Sequence, residues 1–488
     1  MNMKLTLSTI LLSLAALAAF PGTSTAIEKP ASAAELFGYA KLWDVEIRIS
    51  EKGYQALTPE GGRGFDRDFP YAAGEVLIAG HEALKVGLRY KGNSSYSSAG
   101  NTNKKSFKID FNRVVENQEF LGLSKLNLNN NILDPSQARE TLAYLMFDDM
   151  GLPSCRTAFA RVYLLVGKKK KEYLGLYTMV EQVNGTFLKD RFGTGKGLLL
   201  KPERNNSFPY LGESWQEYER SYVPKTSAPP EFGRRLMEFT RFVEESSDEE
   251  FAEKISGYVD LPAFLKFTAL HAVLSHLDSF LLRGHNFYIY LPESTGKFHW
   301  IPWDLNSTFA GHRSAGSAAQ QTDLSISQPY ADGVRLLSRV LEIKSARAEY
   351  RKQIEAVLAG PFKPETIRLR MQKILKVIAP AVAKDLNTHP AQFKANFTKS
   401  SEGGQALAPP PRPGERSGPR SGMQQKPKLA DFITARTSSI LSQLRENRKG
   451  YVPRLSSRRS RGDRGRRPEG NSRRPSRGPF PRRPGREN

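Results

Sequence analysis

Only one cysteine, Cys155, stands in 488 residues, so no internal disulfide can form. It sits in MGLPSCRTAF between a helical stretch and a strand, which reads as the place of a small buried residue and not of an activated thiol. Past the N-terminal segment no apolar run is long enough to span a bilayer. There is no GxxxxGK[ST] phosphate loop, no GxSxG elbow of a serine hydrolase, no Cys/His zinc spacing around His271, His276 and His285, and no internal repeat. Acids are scarce as well: 50 Asp+Glu against 73 Lys+Arg leave a formal charge of +23. From Tyr451 to Asn488 thirteen arginines face three acids, about +10, so much of the basicity belongs to a tail and not to a folded surface.

What is present reads in order. Residues 1–26 carry an early lysine, an apolar run from Leu5 to Phe20 and small residues at Ser24 and Ala26, the layout of a cleavable export signal, with an uncleaved anchor as the alternative. Residues 27–37 read as a linker. From 38 to 180 the pattern is β-rich: Val45, Ile47 and Ile49 alternate in one strand, EVLIAG and ALKVGLRYKGNSS follow, and Phe107, Ile109 and Phe111 share a face in KKSFKIDFNR. One helix interrupts this region, in LDPSQARETLAYLMFDDMG, with Asp134 or Ser136 as its cap and Gly151 as its stop. FARVYLLVG and EYLGLYTMVE, joined by Lys168–Lys171, are two further strands. From 181 to 401 the period is mostly helical, with Asp260 as a cap and one hairpin, NFYIYL and KFHWIPWD around PESTG. Residues 402–428 read as a Pro/Gly-rich linker, 429–449 as a last amphipathic helix, and 450–488 as a disordered basic tail. The fold class is α+β.

The informative stretch is HLDSFLLRGHNFYIYLPESTGKFHWIPWDLNSTFAG, residues 276–311. Asp278 precedes the hairpin, Asn286 opens it and Asp304 follows it. Alone, each has a commonplace reading: a turn cap, a turn residue, a surface acid. Together they match what phosphoryl transfer requires, namely a carboxylate to aim an acceptor hydroxyl and oxygen ligands for a divalent cation. The β-rich half offers a matching partial set. Gly92, Asn93, Ser94 and Ser95 form a strand-to-loop turn whose backbone could approach phosphates. Lys105 or Lys108 could contact phosphate oxygens and pair with a helix acid, for which Glu140 is the candidate.

These motifs resemble the spore coat protein H (CotH) kinase family. The resemblance runs through VGLRYKGNSS…KKSFKIDF, LNLNNNILDPSQARETLAYLMFDDMGLP, RVYLLVG…YLGLYTMVEQVN and LDS…GHNFYIYLPESTGKFHWIPWDLN, in that order, over roughly residues 40–312. It implies an atypical, secreted-type protein kinase of divergent two-lobed fold that uses ATP and Mg²⁺ or Mn²⁺ to phosphorylate protein serines. Carried over by position, Asp278 would be the catalytic base, Asp304 the metal-binding aspartate and Asn286 a second metal or phosphate ligand. Lys105 or Lys108 would bind phosphate, and EQVN, beginning at Glu181, would line the adenine side. One departure is WDLN where the family commonly has WDLD, placing Asn306 where a second carboxylate is expected.

The implied setting is secreted, periplasmic or cell-surface. The alternatives are a non-catalytic cell-envelope protein on the same fold and a sugar or polyol kinase. RLSSRRSRG and RRPSRG in the tail place serines among arginines, a possible substrate in cis, but the same charge suits an anionic polymer or plain solubility.

Overall fold

The computed structural model describes residues 28–61, 67–203, 208–312, 314–400 and 426–454. The stretch expected to be an export signal, most of the Pro/Gly-rich linker and nearly all of the basic tail lie outside the described residues. The fold is α+β, with a sheet-rich N-terminal region followed by helices.

Twelve strands are described: β1 (Leu42–Ile49), β2 (Glu60–Gly61), β3 (Arg67–Asp68), β4 (Ala72–Ile78), β5 (Leu84–Lys91), β6 (Ser106–Asp110), β7 (Lys125–Asn129), β8 (Thr157–Val166), β9 (Glu172–Glu181), β10 (Gly197–Leu200), β11 (Phe287–Pro292) and β12 (His299–Pro302). Seven close into a barrel in the order β1-β4-β5-β6-β7-β9-β8, sealed by the parallel pairing of β8 with β1. Period-two alternation fills it: Val45, Ile47, Val86, Leu88, Phe107, Ile109, Leu126 and Leu128 are fully buried. β7 has no counterpart among the expected strands, since LNLN is short and runs into a polar turn.

β10, β11 and β12 form a separate antiparallel sheet. The hairpin expected after Asn286 is its β11–β12 pair, with Phe287 opposite Pro302 and Tyr290 opposite His299. Helices Pro230–Glu245, Asp248–Tyr258, Leu261–Val273, Lys344–Ala359 and Pro364–Val382 surround it in a second, larger core. Asp260 caps the Leu261–Val273 helix by accepting from the Ala263 amide at 3.2 Å.

Two local readings are corrected. RYKGNSS does not end in an open loop: β5 stops at Lys91, Gly92 turns the chain at φ 78°, and Asn93–Ser98 form a short helix. A Cβ on Gly92 would fall 2.4 Å from Ser95 Oγ, so the turn requires glycine. The Arg139–Asp149 helix starts after Ala138 with no side-chain cap. Asp134 instead accepts the Arg139 amide at 2.9 Å and its guanidinium at 2.7 Å, gripping the first turn from outside.

Candidate active site

The Leu261–Val273 helix delivers the chain to Asp278 through a turn in which Ser275 has φ 47°. Asp278 is half-buried and ringed by imidazoles: His285 Nε2 donates to Oδ1 at 3.0 Å, and His312 Nδ1 lies 3.5 Å from the same oxygen. Burial pushes this carboxyl up, but the His285 hydrogen bond and the charges of His312, His285 and His276 outweigh it and hold it well below the usual carboxylate range. For His285 the balance is the reverse. Burial disfavours its charge, yet the bond to Asp278 raises it above the ordinary histidine value.

Asn286 donates Nδ2–H to the Asp278 carbonyl at 2.7 Å, which fixes the carboxamide and turns its oxygen away from that bond. Its own carbonyl accepts from the Trp303 amide at 3.1 Å, so the hairpin holds residue 286 beside residue 303 and brings Asp304 next to it. Both Asn286 (φ 62°) and Asp304 (φ 52°) occupy the left-handed region, which Asn and Asp tolerate better than other side chains. The Asp304 amide donates to Tyr144 Oη at 3.1 Å, and Asn306 Nδ2 donates to Asp304 Oδ1 at 2.5 Å. Asn306 therefore supplies a donor to the very carboxylate beside which the motif commonly carries a second acid. Burial and then Asp278 raise the Asp304 carboxyl, opposed by Lys91.

The lysine facing this group is Lys91, not Lys105. Lys91, at the end of β5, donates to Asn129 Oδ1 at 2.7 Å and lies 5.4 Å from the Trp303 ring centre. Burial draws its ammonium down to about 8, while Asp304 and Glu140 pull it up. Glu140, expected to pair with Lys105 or Lys108, lies instead near Lys91. It is buried on the Arg139–Asp149 helix, accepts from Asn129 Nδ2 at 2.8 Å, and leaves Oε1 buried without a partner. Burial and the charge of Asp304 raise it to about 7. Asn129 thus bridges Lys91 and Glu140, a linkage that sequence reading missed.

Lys105 turns the other way, onto the Gly100 carbonyl and the Tyr96 ring at 4.4 Å. Lys108 stands opposite Arg89 in the β5–β6 register. Burial lowers it strongly, and Arg89, Lys91 and Lys201 add to the effect, so these four cations share one region. Strand parity carries the distinction: Leu88, Tyr90, Phe107 and Ile109 point into the barrel, which leaves Arg89, Lys91 and Lys108 on the other face. Glu181 is not open to a ligand through its side chain. It is almost fully buried, and Arg156 and Arg191 both donate to it, Arg191 at 3.2 Å. Asn93, Ser94 and Ser95 belong to the short helix after Gly92, where Asn93 Oδ1 is buried without a partner and Ser95 donates to the Gly92 carbonyl at 3.2 Å.

A family model, the CotH kinase protein, matches residues 88–405, well over half of the chain. The chain belongs to the CotH kinase family. The inner spore coat protein H of Bacillus subtilis (strain 168) is 24% identical over 320 residues, 64% of this chain and 81% of that protein. Among solved structures, the Helicobacter pylori proinflammatory kinase CtkA aligns over 66% of this chain and 92% of its own with 10% identity, at a TM-score of 0.23, too low for its geometry to carry weight here. The CotH kinase match runs from within β5 into the helical region and contains every residue named in the site, from Arg89 to His312.

Among the described residues no three His, Cys, Asp or Glu side chains form a metal cluster by themselves. The donors at hand are mixed: the Asp304 carboxylate, the Asn286 carboxamide oxygen and the Asp278 carboxylate. All are hard oxygens, the kind that suits Mg²⁺ or Mn²⁺ shared with phosphate. The charge balance suits a cation as well, since Asp304 is raised by the neighbouring Asp278 charge.

Proposed function

We propose that this CotH kinase family member is an exported, two-lobed, kinase-like enzyme that transfers the γ-phosphoryl of ATP to a serine of a secreted or surface protein, with Mg²⁺ or Mn²⁺. The observation that carries the reading is the convergence of Asp278, Asn286 and Asp304 around one hairpin, facing Lys91 and Glu140 from the barrel side. Spore coat protein H as a relative favours an extracellular setting.

In this reading Asp304 and Asn286 would hold the cation, which would supply neutralisation of charge on the phosphate oxygens. Lys91 reaches those oxygens, kept in place by Asn129 and Glu140, with Arg89 and Lys201 adding positive potential. Asp278 accepts the hydrogen bond of the serine hydroxyl and aims its oxygen in line with the γ-phosphorus. The serine oxygen bonds to phosphorus, the bond to the β-phosphate oxygen breaks, and ADP leaves. A carboxylate as acidic as Asp278 takes the proton late, so orientation is its main contribution. Backbone around Gln182 and Val183, after β9, is the remaining candidate for the adenine side, since the Glu181 carboxylate is committed to two arginines.

The test is γ-labelled ATP with Mg²⁺ or Mn²⁺ on the full chain, with intact-mass and peptide mapping for phosphoserine. Asp304→Ala is expected to lower transfer by on the order of 10²–10³-fold. Phosphate on RLSSRRSRG or RRPSRG would make the tail an acceptor. No transfer together with no ATP-dependent thermal shift with either metal would overturn the reading in favour of a non-catalytic envelope protein.

A further inference from the structure

The family match ends at residue 405, and one more described segment, residues 426–454, lies beyond it. Its helix, Leu429–Leu444, is not an appendage. Leu429, Phe432, Ile433 and Ile440 are buried in the helical core, and between them Arg436 is fully buried. Burying a guanidinium is costly unless its donors are satisfied. Here they go to main-chain carbonyls of two separate stretches: Nη2 to Ala272 at 2.9 Å and Nε to Val273 at 3.2 Å, then Nη1 to Leu324 at 2.6 Å and Thr322 at 3.2 Å.

Each stretch supports the site. Ala272 and Val273 lie in the last turn of the Leu261–Val273 helix, where carbonyls lack the usual i+4 amide; that of Ala272 also accepts the Ser275 amide at 3.1 Å. Two residues on comes the left-handed Ser275, and then Asp278. The Leu274 carbonyl also accepts the Phe309 amide at 2.7 Å, so the chain following Asp304 hangs from the same turn. On the other side, Gln321 adjoins Thr322 and exchanges two hydrogen bonds with the His312 backbone, at 2.6 and 3.2 Å. His312 is the imidazole 3.5 Å from Asp278. Lys426 adds a third hold, donating to the Asn306 carbonyl at 3.1 Å, two residues past Asp304.

We infer that Arg436, assisted by Lys426, is a positioning residue for the phosphotransfer site: a guanidinium that locks the end of the Leu261–Val273 helix to the His312 support and so sets where Asp278 and Asp304 stand. The segment 426–454 is then part of the functional unit even though the family match stops short of it. The inference rests on the phosphotransfer reading for its kinetic consequence and not for its structural one. Arginine is required because its planar fork reaches two peptide stretches at once; a lysine keeps the charge and cannot span them.

The test compares the full chain with Arg436→Lys, Lys426→Met and, as a control on the exposed side of the same helix, Ser438→Ala. Hydrogen exchange of peptides covering 272–286 and 304–312 is read beside circular dichroism, and kcat and KM for ATP are measured in the transfer assay. Arg436→Lys is expected to retain its secondary structure, to exchange at least about 10-fold faster in those two peptides, and to lose on the order of 10²-fold in kcat with KM for ATP changed by less than about twofold. Lys426→Met should raise exchange in 304–312 alone, and Ser438→Ala should match the parent. Exchange unchanged at both peptides, or raised evenly over the whole chain, overturns the inference and leaves Arg436 a packing residue. If Arg436→Lys does not fold, Lys426→Met decides by the same local-versus-global criterion. A parent chain that transfers no phosphate defeats the kinase reading, and the exchange pattern still decides the clamp.

Discussion

Lys91 and Lys105 are both near the N-terminal end of the site in sequence, and strand parity separates them. Lys91 shares a face with Arg89 and Lys108 and is pulled by Asp304 and Glu140, whereas Lys105 folds back on the Gly100 carbonyl. Lys91→Met is expected to lower kcat/KM for ATP by about 10²-fold or more, close to 2.7 kcal/mol of transition-state stabilisation, and Lys105→Met to stay within about threefold. Equal losses from the two, measured in one transfer assay, would return the phosphate role to the 105 position. Asn306 poses a second question at this scale. Its amide donates to Asp304 Oδ1, so Asn306→Asp would replace a donor with a second anion beside a carboxylate already raised by burial and Asp278. Without metal, Asn306→Asp should melt a few degrees below the parent; with Mg²⁺ or Mn²⁺ its upward shift should exceed the parent's. A metal-independent melting point would mean that position 306 never meets the cation.

At the scale of elements, the helix Leu261–Val273 and the turn after it set the acid limit of the fold. His271 is fully buried against Phe147 and Phe267, and its Nδ1 lies 3.0 Å from that of His276. Burial, then the neighbouring His276, depresses His271 well below its ordinary 6.5, and burial brings His276 down to about 3. Below pH 6.5 the unfolded chain therefore binds protons that the folded chain refuses. Stability is full above that pH and falls as pH drops through the window from 6.5 toward 3, by about 1.4 kcal/mol per pH unit for each such histidine. His271→Asn should flatten this acid slope in urea titrations by about one proton's worth; an unchanged slope would place the titrating groups elsewhere. This helix also illustrates what was legible beforehand. Asp260 as its cap, the hairpin after Asn286 and the alternation of Val45, Ile47 and Ile49 are local patterns of period or end chemistry, and they stand in the sequence. The pairing of β10 with β11 depends on which distant strand lies alongside, and no local pattern carries that, whereas the parity that separates Lys91 from Lys105 does stand in the alternation of Leu88, Tyr90, Phe107 and Ile109. Order along the chain brought Asp278, Asn286 and Asp304 to notice; the imidazole of His312 and the Asn129 bridge come from tertiary contact alone.

Among the described residues there are two hydrophobic cores, one in the barrel and one among the helices, and a buried ion pair joins them. Lys104, just before β6, meets Asp385, just past the Pro364–Val382 helix, at 2.5 Å with both side chains essentially inaccessible. Burial disfavours the Lys104 charge and Asp385 opposes that effect. The carboxylate is further committed to the barrel by the Leu176 amide of β9 at 3.1 Å, and to its own turn by the Asn387 amide at 2.9 Å. Gly175 makes room for it: at φ 122°, a Cβ there would sit 2.4 Å from Asp385 Oδ2. Such a pair adds little over a well-packed apolar replacement, but breaking it strands a charge at a cost of about 3–5 kcal/mol. Asp385→Ala should therefore melt far below the parent, while Lys104→Met combined with Asp385→Asn, which keeps an acceptor for the Leu176 and Asn387 amides, should regain part of the loss. The form of the transition is the sharper reading. If this contact is what couples barrel and helices into one cooperative unit, calorimetry of Asp385→Ala should show two separable transitions where the parent shows one. A single transition within about 2 °C of the parent would mean that the two cores are held together by apolar packing, with the ion pair only fixing their register.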